Sequence, residues 1–247
     1  MARSQSGESV LTRAVRIFEA FTPADPELSV SVIARRAGLH VATASRLIAA
    51  LVEHGLLARQ PDGRVRIGVR LWELALRASP ALSLREAAMP FLEDLHAIVG
   101  HDVQLGVLDG EEVIFVERLS APGAAINFTR VAGRLPLHAS SSGLVLLAHG
   151  PRELQERQLA GSLCSYTPAT ITEASRLRCA LADVRRQGFA LLAGHVHEDA
   201  TGIAVPVRDR RDEVVAAVSA VVPNDGQGHT LVPALRAAAR GIHRSLA

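Results

Sequence analysis

The chain has 247 residues, 48% hydrophobic and 21% charged, with a net charge of +2; burial on that scale outweighs chain entropy and excludes a disordered, collagenous or low-complexity protein. At roughly 100–150 residues per domain the length predicts two domains. No apolar run approaches the roughly 20 residues of a membrane helix, and the residues after Met1 carry no hydrophobic core for a secretory signal, so a cytoplasmic protein without a membrane partner is expected. Residues 1–79 hold 11 arginines against 7 carboxylates and residues 80–247 hold 16 against 18, which places the positive charge at the front. Cys164 and Cys179 match no metal-ligand spacing or disulfide framework and read as packing residues. No cofactor is expected.

Residues 1–8 are small and polar and are expected to be disordered. Val10, Ala14, Ile17 and Phe21 recur at helical spacing, which predicts a helix over 9–21. Ser29 or Ser31 can cap a short second helix through Ala37, since a serine oxygen accepts from a free first-turn amide. Gly38 closes it. Ala44, Leu47, Ile48, Leu51 and Val52 mark a third helix from Val41 to His54, joined to the second by a three-residue glycine turn. Two short strands around Gln60-Pro-Asp-Gly63 predict a hairpin wing, because Asp-Gly favours a tight turn. Leu71–Ala78 is again helical in pattern, and a capping box, Ser83-Leu-Arg-Glu86, opens a helix to about Val99 with Pro90 as a kink. Domain boundaries of 9–69, 70–82 for a linker helix and 83–247 follow.

From Asp102 the period becomes that of strands. Val103–Leu108 and Val113–Arg118 flank Asp109-Gly110, a hairpin signal. After a long loop, Ser140–Ala148 reads as a serine-capped helix, Pro151–Ala160 and Thr172–Gln187 as two more, Phe189–Ala193, Ile203–Arg208 and Val214–Val222 as strands, and 230–246 as a final helix. Hairpins mixed with helices predict an α+β domain with a largely antiparallel sheet.

A helix that enters the major groove needs one apolar face for docking and small polar or basic residues on the other. The third helix has both. Arg46 can donate two bonds to a guanine edge or grip a phosphate, Thr43 and Ser45 can bond bases or backbone, and Ala42 permits close approach. Arg35, Arg36, Arg59, Arg64 and Arg66 can hold phosphates, and residues 31–70 carry 7 arginines against only Glu53 and Asp62. Helix, glycine turn, helix and basic hairpin in that order predict a winged helix-turn-helix.

Ser31-Val-Ile-Ala-Arg-Arg-Ala-Gly-Leu39, Ala42-Thr-Ala-Ser-Arg-Leu-Ile48 and Leu51-Val-Glu-His-Gly55 resemble the front half of the isocitrate lyase regulator (IclR) family. Leu105-Gly-Val-Leu-Asp-Gly110, Gly133-Arg-Leu-Pro-Leu-His138 and Ile203-Ala-Val-Pro-Val207 extend the resemblance, in the family's order, over nearly the whole chain. It implies a winged helix-turn-helix, a linker helix and a GAF-like effector-binding domain, with dimers or tetramers on operator DNA. Carried over by position, it implies an effector pocket at Ser140, Ser141 and Ser142, Gly202 and Ser219. Leu192 and His195 stand where the family usually has acids, Gly202 where it often has cysteine, and His101 where glutamate is common. The residues agree, since free amides and hydroxyls at a helix start favour a carboxylate, and Leu192 favours an apolar body; a small organic or aromatic acid is expected. Two other readings remain at this stage. A metal-responsive regulator would use His195 and His197, two apart on a strand face, with Glu198 or Asp199. A hydrolase would use Ser140, Ser141 or Ser142 with His138 or His195 as base, though no nucleophile elbow is present.

Overall fold

The computed structural model describes residues 8–78, 80–121 and 131–246. The expected disordered N-terminus, apart from Glu8, and most of the expected long loop after Arg118 lie outside them. The chain divides after residue 79 into two compact units.

In the first unit α1 (Val10–Glu19) is capped by Ser9, whose side chain accepts from the Thr12 amide. Ser29 rather than Ser31 caps α2 (Val30–Arg36). Gly38, at φ +61°, makes the turn into α3 (Val41–Glu53), because only a residue without a Cβ takes that left-handed conformation cheaply. Ile17, Ile33, Ala34, Ala44 and Ile48 from the three helices close one core with Leu57 and Val65. Those last two come from the hairpin of β2 (Leu57–Arg59) and β3 (Val65–Ile67). A strand that the pattern did not announce, β1 (Glu27–Leu28), adds to the far side of β3. α4 (Val69–Ala78) follows.

The second unit begins with α5 (Pro80–Val99). The expected capping box is therefore overturned: Ser83 lies inside the helix, which starts three residues earlier at a proline whose missing N–H costs nothing in a first turn. A six-stranded antiparallel sheet runs β6-β5-β4-β9-β8-β7, with β4 (Asp102–Asp109), β5 (Glu112–Leu119), β6 (Arg134–Pro136), β7 (Ala190–Ala193), β8 (Ala200–Arg208) and β9 (Val214–Pro223). β6, at one edge, falls where only loop was expected. α5 and α9 (Val232–Ser245) cover one face, while α6 (Ser141–His149) and α8 (Ala174–Gln187) cover the other. α7 (Arg152–Ala160) packs beside them. Cover on both faces explains why Val214–Val222, apart from Ser219, is an apolar run rather than an alternating one. Both cysteines prove exposed. They are not the packing residues expected, since each falls on the outer side of its segment: Cys164 in the loop after α7, and Cys179 on α8, whose buried stripe is Leu177, Leu181 and Val184.

The α5–α9 contact depends on a missing side chain. A Cβ at Gly241 would lie 2.3, 2.4 and 2.9 Å from three ring carbons of Phe91, far inside ordinary contact. Gly241→Ala is expected to cost about 1–3 kcal/mol through overpacking, read as a lower melting temperature, and Phe91→Leu in the same chain is expected to restore most of it.

Candidate functional site

In the first unit, the buried Ala44 and Ile48 turn the opposite face of α3 outward. Ala42, Ser45 and Arg46 are exposed there, and Thr43 is half-buried beside them. The N-cap His40 makes no side-chain cap bond, so the first amides of α3 remain available to a phosphate as well, a contact the sequence pattern did not single out.

The arginines divide into two groups. Arg35, Arg46 and Arg66 are exposed with no acidic partner among the described residues. Arg59 is exposed and, among the described residues, donates only to the Gly63 carbonyl at 3.3 Å. Arg36 instead donates to the Ala20 carbonyl at 2.9 Å and to Asp25 at 2.8 Å, tying the end of α1 to α2. Arg64 bonds Asp62 at 2.6 Å and reaches Glu27 at 3.4 Å. Its hydrogen bond and charge hold the Asp62 carboxyl below the usual carboxylate range. Arg36 and Arg64 thus carry internal bonds that a phosphate contact would have to share.

The second unit holds a cavity at the N-terminus of α6, with about 550 Å³ of atom-free space, mouth included. Ser140, Ser141, Ser142, Leu192, His195 and Gly202 line it, as the sequence led one to expect. Ser219 does not. It is 1% exposed and sits behind Ser142, whose hydroxyl donates to it at 2.9 Å; it sets a wall residue rather than touching the space. Sequence reasoning missed Gln104, Phe115, Leu135 and Val221, which strands bring in from β4, β5, β6 and β9, and His197, on the segment after β7.

The chemistry at the helix start follows from its caps. The Ser140 hydroxyl accepts from the Gly143 amide at 3.1 Å and donates to the Pro136 carbonyl at 3.1 Å, and the Ser140 carbonyl takes the Leu144 amide. Those bonds use the third and fourth amides of α6. The amides of Ser141 and Ser142 are left without an acceptor among the described residues. Ser141 is 6% exposed, lines the cavity, and its hydroxyl has no hydrogen-bond partner among the described residues. Two free amides, a free hydroxyl and the positive end of a helix converge on one end of an otherwise largely apolar space. Among the described residues no arginine or carboxylate lines it.

Past the end of β7, His195 has a buried Nδ1 with no hydrogen-bond partner among the described residues. Burial, then the nearby Arg176 charge, push its pKa below the usual imidazole value, so the ring is neutral near pH 7. His195 and His197 follow the end of β7 at Ala193 and do not share the strand face once expected. Among the described residues no group of three His, Cys, Asp or Glu side chains is placed to hold a metal ion. His138 directs Nε2 to the Cys164 carbonyl at 2.9 Å; a carbonyl only accepts, so that nitrogen carries the proton and is no base for the serines.

The family model described as the IclR helix-turn-helix domain matches residues 10–61, and the model described as the bacterial transcriptional regulator IclR C-terminal domain matches residues 77–244. The chain is 33% identical over 209 residues to the HTH-type transcriptional regulator XynR of Escherichia coli, covering 84% of this chain and 83% of that one. It is 30% identical to the glycerol operon regulatory protein of Streptomyces griseus, covering 96% and 95%. Among solved structures, an IclR homolog from Microbacterium hydrocarbonoxydans complexed with 4-hydroxybenzoate superposes with a TM-score of 0.92 at 46% identity, over 96% of this chain and 99% of that one. These relatives are regulators, not enzymes.

Proposed function

Since the chain belongs to the IclR family of bacterial transcriptional regulators, we propose that its cavity binds a small aromatic monocarboxylic acid and that this ligand sets the grip of the α3 face on the operator of a catabolic operon. The carboxylate lies on the Ser141 and Ser142 amides and the Ser141 hydroxyl. The ring lies against Phe115, Leu135, Leu192 and Val221. The observation that carries this reading is the unsatisfied α6 start, because a helix N-terminus supplies donors and a positive potential to an anion without a cationic side chain. The relative from Microbacterium holds such an acid. With no arginine on the wall among the described residues, one carboxylate is accommodated at the α6 start and a second is not.

On the DNA side, Arg46, Ser45, Thr43 and Ala42 read base edges, while Arg35, Arg59 and Arg66, with Arg36 and Arg64 in support, hold phosphates. A cytoplasmic two-fold dimer, alone or as half of a tetramer, presents two α3 helices to a roughly palindromic site. The acid moves the operator equilibrium only to the extent that it prefers one arrangement of the assembly.

Titration calorimetry of the full chain tests the pocket. Benzoate and 4-hydroxybenzoate are expected to bind and a short aliphatic dicarboxylate is not. Ser141→Ala is expected to weaken the benzoates at least about tenfold, the scale of a hydrogen bond to a charged group. Absence of binding by every aromatic acid tried, or binding untouched by Ser141→Ala, overturns the reading.

A further inference from the structure

The wall segment that brings His195 and His197 to the cavity has no ladder of its own. It lies between the end of β7 and the start of β8, and among the described residues the backbone bonds within it are the Gly194 amide to the Ala200 carbonyl at 2.9 Å and the Ala200 amide to the His197 carbonyl at 3.1 Å. Its position is therefore set by what grips it from outside. Asn224, after β9, holds its far end, donating from its amide to the Asp199 carbonyl at 2.9 Å and from Nδ2 to the Glu198 carbonyl at 2.8 Å, and two threonines in the loop after α7 hold the end that carries His195. Thr167 Oγ1 donates to the Gly194 carbonyl at 2.6 Å, and Thr170 Oγ1 donates to the His195 carbonyl at 2.6 Å. Thr170 is 2% exposed, and its oxygen also accepts from the Tyr166 and Thr167 amides at 3.1 and 2.9 Å, so one hydroxyl both folds the loop and holds the wall. The same loop also reaches the segment that leads into α6. The Cys164 carbonyl takes the His138 Nε2 proton at 2.9 Å, two residues before the Ser140 cap.

We infer that residues 164–170 form a strap bridging the two walls of the effector cavity from outside, and that Thr170 is the positioning residue that sets how far the His195 wall stands from the α6 start. Neither Thr167 nor Thr170 touches the cavity, so the strap tunes affinity without contacting ligand. A bound acid held at one end by α6 and packed at the other on the wall loads both of the strap's anchor points. This inference rests on the reading of the cavity as an aromatic-acid site.

The test is calorimetric titration of 4-hydroxybenzoate into the full chain carrying Thr170→Val or Thr170→Ser, with acid-free DNA affinity measured in parallel. Valine keeps the shape and removes the hydroxyl. Thr170→Val is expected to raise the Kd at least tenfold, Thr170→Ser to stay within about twofold of wild type, and acid-free DNA affinity to be unchanged in both. A loss of structure in the second unit would lower the melting temperature together with acid affinity, which separates the two. Should Thr170→Val not fold, Thr167→Val, which releases the Gly194 carbonyl and leaves the Thr170 bond to His195 in place, is expected to raise the Kd severalfold. Wild-type affinity in a folded valine variant, or serine as weak as valine, overturns the strap alone. Failure of the wild-type chain to bind any aromatic acid overturns the site reading and the strap with it.

Discussion

Arg46→Ala is expected to lower affinity for the cognate operator about 10- to 100-fold while leaving affinity for random duplex within a few-fold, so that most sequence preference disappears. The magnitude is that of one lost bidentate base contact, about 1–3 kcal/mol. It follows from where Arg46 stands. It is exposed on α3 directly beside Ser45 and on the face opposite the buried Ala44 and Ile48, and no internal acid competes for its guanidinium among the described residues. Arg66→Ala provides the contrast. Arg66 sits on β3, in register with Ala58 and Glu27, and is exposed, which suits a phosphate and no base. Its loss should weaken operator and random DNA alike and reduce the salt dependence by about one counterion. Fluorescence anisotropy on both DNAs at two or more salt concentrations separates the cases. Equal losses on both DNAs for Arg46→Ala would assign that residue to the backbone and leave base reading to Thr43 and Ser45.

The same division explains what was legible before the fold was seen. Glycines at φ +61°, +71° and +83°, at 38, 55 and 63, are punctuation that local chemistry forces, so the helix-turn-helix and its wing could be placed closely. β1 and β6 could not. Each is two or three residues long, beside or including a proline, and an edge strand that short contributes too little apolar pattern to stand out from loop. Ser83-Leu-Arg-Glu86 carries a valid local signal that the longer helix from Pro80 overrides. The cavity was half legible. A serine run ahead of an apolar stretch announces a helix start with spare donors, so Ser140–Ser142 stood out. Phe115, Leu135 and Val221 looked like any core residue, because what makes them wall rather than core is the register of strands far apart in sequence. Ser219 failed for a related reason: it pairs with Gln104 and Ala204 across the sheet, but Ser142 covers it.

Gly202 gives the sharpest separation of the two halves of the function. It lies on β8 in register with Leu192 and Val221, and both of those line the cavity. A Cβ there would come within 2.8 Å of the Ser141 hydroxyl, the group assigned to the carboxylate. The backbone at Gly202 is ordinary extended strand, so a β-branched residue suits its conformation, and the added atoms enter the cavity rather than strain the chain. Gly202→Val is therefore expected to displace the Ser141 hydroxyl, fill the space beside Leu192 and Val221, and raise the Kd for aromatic acids more than 100-fold. Operator affinity without acid should remain near wild type, because the α3 face belongs to a separate compact unit with its own core. A ligand that cannot bind cannot bias an equilibrium, so the variant should hold its operator in the acid-free manner at any acid concentration. Gly202→Ala, with one carbon added, should be intermediate. Calorimetry with the acid and anisotropy with operator DNA at rising acid concentrations read both quantities. If Gly202→Val still binds the acid as wild type does, the ligand lies elsewhere than at the α6 start; if it loses operator affinity in the absence of acid, the occupied conformation of this wall is itself part of the DNA-binding state.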